Sequence, residues 1–174
     1  MNVMNIRQET KNDFNAVFEV NKLAFGQDSE ANLVELLRQS EAFIPQLSLV
    51  ATLGNKIVGH ILFTKIQIIN DDKSETDSLA LAPMAVRPEF QNKGIGGQLI
   101  KHGLDKAREL QHKSVIVLGH EHYYPKFGFI PAEKYYIKSP YEVPTNVFMA
   151  LELVTDGLKN TNGLVKYPQE FDTV

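Results

Sequence analysis

The stretch Val86-Arg87-Pro88-Glu89-Phe90-Gln91-Asn92-Lys93-Gly94-Ile95-Gly96-Gly97 decides how the rest of the chain is read. An apolar run ends at Val86, Pro88 stops it, and a short polar turn leads to closely spaced glycines that open an amphipathic pattern. Glycines in such a place let a ligand approach the backbone, because no side chain stands in front of the amides. The first turn of a helix has free N–H groups and a partial positive charge, which suit a phosphate or pyrophosphate. Gln91 and Lys93 are candidates for added polar or cationic contacts. Glycines at a helix start also serve plain close packing. Two other phosphate binders fail on spacing. A P-loop requires Gly-Lys followed by Ser or Thr, and a dinucleotide fingerprint requires a third glycine where this chain has Leu99.

On the N-terminal side of this stretch, Leu79 to Val86 is apolar for most of its length, as a central strand should be. Leu47 to Leu53 and Ile57 to Ile69 flank Gly54-Asn55, a hairpin signal. Asn70 to Ser78 reads as a short acidic loop. Earlier still, Phe14, Val17, Phe18, Leu23 and Ala24 give a helical face that starts at Thr10-Lys11-Asn12-Asp13 and ends at Gly26. A second helix is expected from Ser29 to Gln39, and Met4 and Ile6 alternate as in a short strand.

On the C-terminal side, Ile95, Leu99, Gly103, Ala107 and Leu110 fall on one helical stripe. Val115 to Leu118 is a β-branched run fit for a buried strand, Tyr123 to Phe129 is a compact aromatic segment, and Asn146 to Val154 alternates as a last strand. Thr155 to Val174 receives no assignment. The order implies an α/β (α+β) fold, a mixed sheet covered by helices, in one domain spanning residues 1–174.

With these residues in view, Gln91-x-x-Gly94-x-Gly96 after the Ala85-Val86-x-Pro88 strand end resembles the acetyl-CoA signature of the GNAT superfamily of N-acetyltransferases. More narrowly, Tyr123-Tyr124-Pro125-Lys126-Phe127-Gly128-Phe129, Val147-Phe148-Met149-Ala150-Leu151-Glu152-Leu153 and Val165-Lys166-Tyr167-Pro168 look like its YhbS-like branch. The resemblance implies a mostly antiparallel central sheet flanked by helices, with acetyl-CoA as cosubstrate. It also implies that the amides of Gln91, Asn92, Lys93, Gly94, Ile95, Gly96 and Gly97 hold the pyrophosphate of coenzyme A. Met84, Ala85 and Val86 would then pair with the pantetheine arm, one amide polarising the thioester carbonyl.

Acyl transfer from a thioester needs a neutral amine, donors for the tetrahedral oxyanion, and a proton for the departing thiolate. A tyrosine can supply that proton: free tyrosine titrates near ~10 and a thiol near ~8.5, so the transfer is uphill by about 2 kcal/mol in water, less once the thiolate is buried. By the family pattern the acid is the tyrosine four residues before Gly-Phe, here Tyr124 ahead of Gly128-Phe129, with Tyr123 a packing residue. The chain departs from the wider family in the short connection Gly119-His120-Glu121-His122, in Pro125 directly after Tyr124, and in having no glutamate inside Ser114 to Leu118, where some relatives keep a general base.

His120, Glu121 and His122 are compatible with a proton-accepting base and with a solvated loop, and both readings stay open; nothing in the sequence makes the three converge on a metal ion, so no metal is expected. His60 reads as a structural histidine. The chain has no cysteine, which excludes disulfides, thiolate metal sites and a cysteinyl acyl-enzyme. A formal charge of -3 argues against nucleic acid and acidic membranes as general partners. No apolar run has the length of a signal peptide or a membrane span, so the cytoplasm is the expected compartment.

The expected reaction is direct transfer of acetyl from acetyl-CoA to an amine within a ternary complex. Two rivals stay open: a coenzyme A-binding regulatory module without turnover, and an enzyme for a longer acyl-CoA. The acceptor is a small-molecule or peptide amine of unspecified identity, and a homodimer is compatible with the sequence.

Overall fold

The computed structural model describes residues 3–173. Among them, nine strands and three α-helices form a mixed α/β fold whose sheet is mostly antiparallel. In chain order these are β1 (Met4–Gln8), α1 (Phe14–Phe25), α2 (Ser29–Arg38), β2 (Phe43–Leu53), β3 (Lys56–Asn70), β4 (Glu75–Val86), α3 (Ile95–Glu109), β5 (Ser114–Leu118), β6 (Ile130–Pro131), β7 (Ile137–Lys138), β8 (Phe148–Glu152) and β9 (Gly163–Lys166). The strand order is β1-β2-β3-β4-β5-β8-β6, with β9 paired to β3 and β7. No helix among the described residues is long and apolar enough to cross a membrane.

The chain divides into two compact units. One comprises the chain up to Thr64, Ala82–Lys106 and the segment from Gln169; the other comprises Lys65–Leu81 and Ala107–Pro168.

In the first unit, β1 and β2 are antiparallel with Met4 opposite Leu53, and β2 pairs with β3 across the Gly54-Asn55 turn. Val17 and Val20 of α1 and Leu33, Val34 and Leu37 of α2 meet Val50, Ile57, Leu62 and Ala85 in one core. The helix starts and stops follow local chemistry. Asp13 accepts from the Thr10 N–H at 2.7 Å and from both terminal nitrogens of Arg7, which holds its carboxyl down to about 2. Gly26 ends α1 in a left-handed conformation at φ 70°. Arg38 at the end of α2 forms a two-bond pair with Glu9, at 3.0 and 2.9 Å, with both side chains almost fully buried. Such a pair costs much to break on one side, because the remaining charge is stranded.

In the second unit, β4 and β5 are parallel, with Leu79 opposite Val115, and β5 and β8 antiparallel, with Val115 opposite Leu151. Ala80, Ile116, Phe148 and Ala150 from these strands share a core with Ile66 and Ile68 of β3 and with Ile137, Leu158 and Val165. The two-residue strands β6 and β7 are not expected from the sequence, and two longer elements differ from the expectation as well. The segment expected to be a loop from Asn70 to Ser78 turns only over Asp71–Ser74, and β4 begins at Glu75. Its polar start is stabilised across the strands, where Gln67 donates to Asp77 at 2.6 Å. The unassigned tail contains β9, which pairs antiparallel with β3 and parallel with β7.

His60 lies fully buried in β3 with both ring nitrogens engaged. The Asn21 side-chain amide donates to Val17 O at 3.0 Å and to His60 Nδ1 at 3.2 Å, so Nδ1 is the acceptor and the proton sits on Nε2, which donates to Ser48 Oγ at 3.0 Å. Burial, with the charge of Arg38 adding to it, pushes the imidazole down from 6.5 to about 4, while Glu9 acts in the opposite sense. The folded protein therefore refuses a proton that the unfolded chain accepts. Stability present above pH 6.5 is lost as the pH falls through about 4, on the order of 3 kcal/mol from this group. The urea midpoint should fall between pH 7 and pH 4.5 in the parent and much less in His60→Gln. Parallel profiles for the two proteins would remove His60 as the cause.

Candidate active site

The loop after β4 is built from its own backbone and a few side chains. Pro88 to Phe90 make a single 3-10 turn, with Phe90 N–H donating to Arg87 O at 2.9 Å. Arg87 is fixed by its N–H to Val58 O at 2.8 Å and its Nε to Ile57 O at 2.9 Å, and its guanidinium reaches Glu19 at 3.5 Å. Gln91 turns back and donates to Val86 O at 3.0 Å. Asn92 and Gly94 then take left-handed conformations at φ 63° and 82°. At Gly94 a Cβ would meet no atom within 4 Å, so backbone conformation and not space calls for glycine there. The first helical bond runs from Gln98 N–H to Gly94 O at 3.1 Å, which leaves the amides of Ile95, Gly96 and Gly97 in the orphan first turn of α3.

The seating of α3 explains why that turn is held in place. Ile95 and Leu99 are buried, and both press on Gly59 of β3. A Cβ at Gly59 would stand 3.0 Å from Leu99 Cδ1 and 3.3 Å from Ile95 Cγ2 and Ala85 O. Ala85 and Val86 are buried at the end of β4, and Met84 is half-buried. Pro83 just before them offers no N–H to the sheet ladder. Lys93 is exposed, its Nζ 5.5 Å from the Phe90 ring centroid, with Lys56 Nζ 5.3 Å from the same ring. The ten residues from Met84 to Gly97 that the sequence singles out thus sit together in the first unit. Tyr124 belongs to the second.

Tyr124 opens a 3-10 turn, Tyr124–Phe127, that Gly128 closes. Its ring is 8% exposed and makes edge contacts with Tyr123 at 5.2 Å and Phe129 at 5.7 Å between centroids. Burial, and then the neighbouring Tyr123, push its hydroxyl up to about 12, so it carries its proton at neutral pH. Among the described residues that hydroxyl has no hydrogen-bond partner, and it is not one of the sealed unpartnered atoms, Asn21 Oδ1 and Thr64 Oγ1. Tyr124 is buried overall, and its hydroxyl is not wholly sealed. Tyr124 N–H donates to His120 O at 3.3 Å, which pins the turn to the end of β5. A side chain at Gly119 would collide with Tyr124 Cε2 and approach Cδ2 at 2.9 Å, so the ring occupies the space that glycine vacates.

Beside Tyr124 the second unit holds an open cavity of about 420 Å³, lined by Leu118, Gly119, His120, Glu121, His122, Val143 and Val147. Glu121 and His122 lie 3.3 Å apart, with the histidine side chain 93% exposed and the carboxylate 38%. Among the described residues no three of His, Asp and Glu converge as a metal ion would require. Sequence reasoning passed over Gly59, Arg87, Gly119, Val143 and Val147. The three that line or wall this part of the molecule carry no local signal, since a glycine that makes room for a distant ring looks like any other glycine.

Fold and loop together define an acetyltransferase of the GNAT type, and the chain belongs to the acetyltransferase (GNAT) family, whose model matches residues 11–129. It is 44% identical over 139 residues to the uncharacterized N-acetyltransferase YjhQ of Escherichia coli (strain K12), covering 77% of this chain and 74% of that one. It is 29% identical over 170 residues to the uncharacterized N-acetyltransferase YhbS of the same strain, covering 97% and 99%. The crystal structure of Escherichia coli YhbS in complex with CoA superposes with a TM-score of 0.91 at 26% identity, over 99% of this chain and 93% of that one. A GNAT family acetyltransferase from Brucella melitensis in complex with acetyl-CoA gives 0.80 at 30% identity, over 98% and 99%. The YhbS-like branch is therefore the right one.

Gly119→Ala should lower stability by about 1–3 kcal/mol, the usual cost of overpacking. In a Tyr124→Ala background, where the ring is gone, the same change should cost far less. Strict additivity of the two in urea melts would show that the ring does not depend on the missing side chain.

Proposed function

We propose that the chain is an N-acetyltransferase that passes the acetyl group of acetyl-CoA to an amine by direct attack, residues 1–174 acting as one catalytic domain. The observation that carries this reading is the first turn of α3, where Ile95, Gly96 and Gly97 present orphan amides at the positive end of a helix. Asn92, Lys93 and Gly94 complete the cradle in this reading, and Gln91 braces it through Val86 O. Met84, Ala85 and Val86 serve the pantetheine arm and the thioester carbonyl. The CoA and acetyl-CoA held by the YhbS and Brucella proteins support that assignment. The compartment we assign is the cytoplasm, where such a donor is made and used.

Tyr124 is the acid in this mechanism. The amine nitrogen bonds the acetyl carbon, the carbon–sulfur bond breaks, the ammonium proton passes to solvent, and the sulfur takes the phenolic proton, which solvent then restores. With its hydroxyl pushed up to about 12, Tyr124 gives a proton to a thiolate of pKa near ~8.5 at a cost of about 5 kcal/mol. Burial of the thiolate raises its proton affinity and reduces that cost, so the transfer belongs in the bond-breaking step, while sulfur charge is still forming. No cysteine exists to carry an acyl-enzyme.

Gly96→Asp sets a carboxylate against the diphosphate and should weaken acetyl-CoA binding at least tenfold, roughly, by calorimetry. Unchanged affinity would remove the loop as the binding site. Tyr124→Phe should lower kcat by about 100-fold or more while acetyl-CoA affinity stays within about twofold. A parent that binds acetyl-CoA yet releases no thiol with any amine would be a regulatory module.

A further inference from the structure

We propose that the cavity at the end of β5 is the acceptor subsite, and that it selects a primary amine on an apolar body without a carboxylate. The assignment rests on the reading of Tyr124 as the acid.

Three observations carry it. The first is shape: about 420 Å³ lies within the range of small-molecule sites, and its walls are tied together, with Gly119 N–H donating to Val147 O at 2.9 Å and Val147 N–H to Pro144 O at 3.3 Å. The second is contact. Gly119 is both a wall of the cavity and the residue against which the Tyr124 ring lies, its Cζ, which bears the hydroxyl, 3.3 Å from where a Gly119 side chain would start. An acceptor in the cavity is therefore one residue's breadth from the acid.

The third is chemistry. Leu118, Val143 and Val147 give a mainly apolar lining, and Leu118 leaves 44% of its surface open at a strand end. At the polar edge Glu121 is the one carboxylate of the lining, which includes no lysine or arginine to pair a carboxylate on a ligand. An ammonium group matches Glu121, and an alkyl or aryl body matches the valines and leucine. A free amino acid brings a second carboxylate towards Glu121, and a polyamine brings a second ammonium that the lining does not pair.

The test uses the full chain and three amines of similar length: hexylamine, norleucine and hexamethylenediamine. Titrated without acetyl-CoA and followed by backbone amide NMR, hexylamine should shift Leu118 to His122, Val143 and Val147. Norleucine and hexamethylenediamine should bind more weakly. Glu121→Gln should raise the hexylamine Kd about three- to tenfold, and its KM in the thiol-release assay by a similar factor, with kcat and acetyl-CoA affinity nearly unchanged. Shifts elsewhere, equal binding of norleucine, or an unaltered KM in Glu121→Gln would overturn the assignment while the acetyltransferase reading stands. Loss of acetyl-CoA binding by the parent would instead remove that reading, and the amine titration would still decide the cavity.

Discussion

Peptide amides hold an anion only when they are left free and their direction is fixed, and in this protein one bare spot on a strand does the fixing. Gly59, having no side chain, lets Leu99 and Ile95 pack closely against β3, at a point the Ala85 carbonyl also approaches. Both side chains are buried there, so the first turns of α3 cannot roll or lift without exposing them. The orphan amides of Ile95 to Gly97 inherit that fixity. What looks from the sequence like a property of three glycines and a loop is therefore also a property of the surface beneath the helix.

The second unit uses the same device for another purpose. Gly119 yields its side-chain space to Tyr124, which is buried among Tyr123, Phe129 and Gly119 while its hydroxyl is not wholly sealed. Sealing the ring keeps the phenol protonated over the working range of pH, and the same burial makes it a more reluctant donor. An acid of this kind is useful only against a base that is itself desolvated. In the proposed mechanism, that condition matches Tyr124 to the departing sulfur of a thioester better than to a hydrated leaving group.

Much of this was legible in the chain before any coordinates. Long periodic segments gave α1, α2, α3 and the β2–β3 hairpin, since ten or more residues average out local exceptions. The pieces that escaped notice are short: β6 and β7 have two residues each and β9 four, too few for a period to show. Polar starts misled as well, because Glu75, Thr76 and Asp77 read as loop until Gln67 is seen across from Asp77. Gln91 to Gly97 and Tyr124 are candidates that the family resemblance names. Gly59 and Val147 could not be named, since each matters through a partner tens of residues away, and Gly119 could not, since only the coordinates show that its missing side chain makes room for the Tyr124 ring.

The way Gln91 and Arg87 spend their hydrogen bonds has a kinetic meaning. Both side chains reach back to backbone carbonyls, Gln91 to Val86 and Arg87 to Ile57, and so close the loop on itself. If this loop is the proposed anion cradle, these braces leave it less conformational freedom to lose on binding. In the proposed reading, so braced a loop makes donor capture depend more on encounter and charge than on a conformational search.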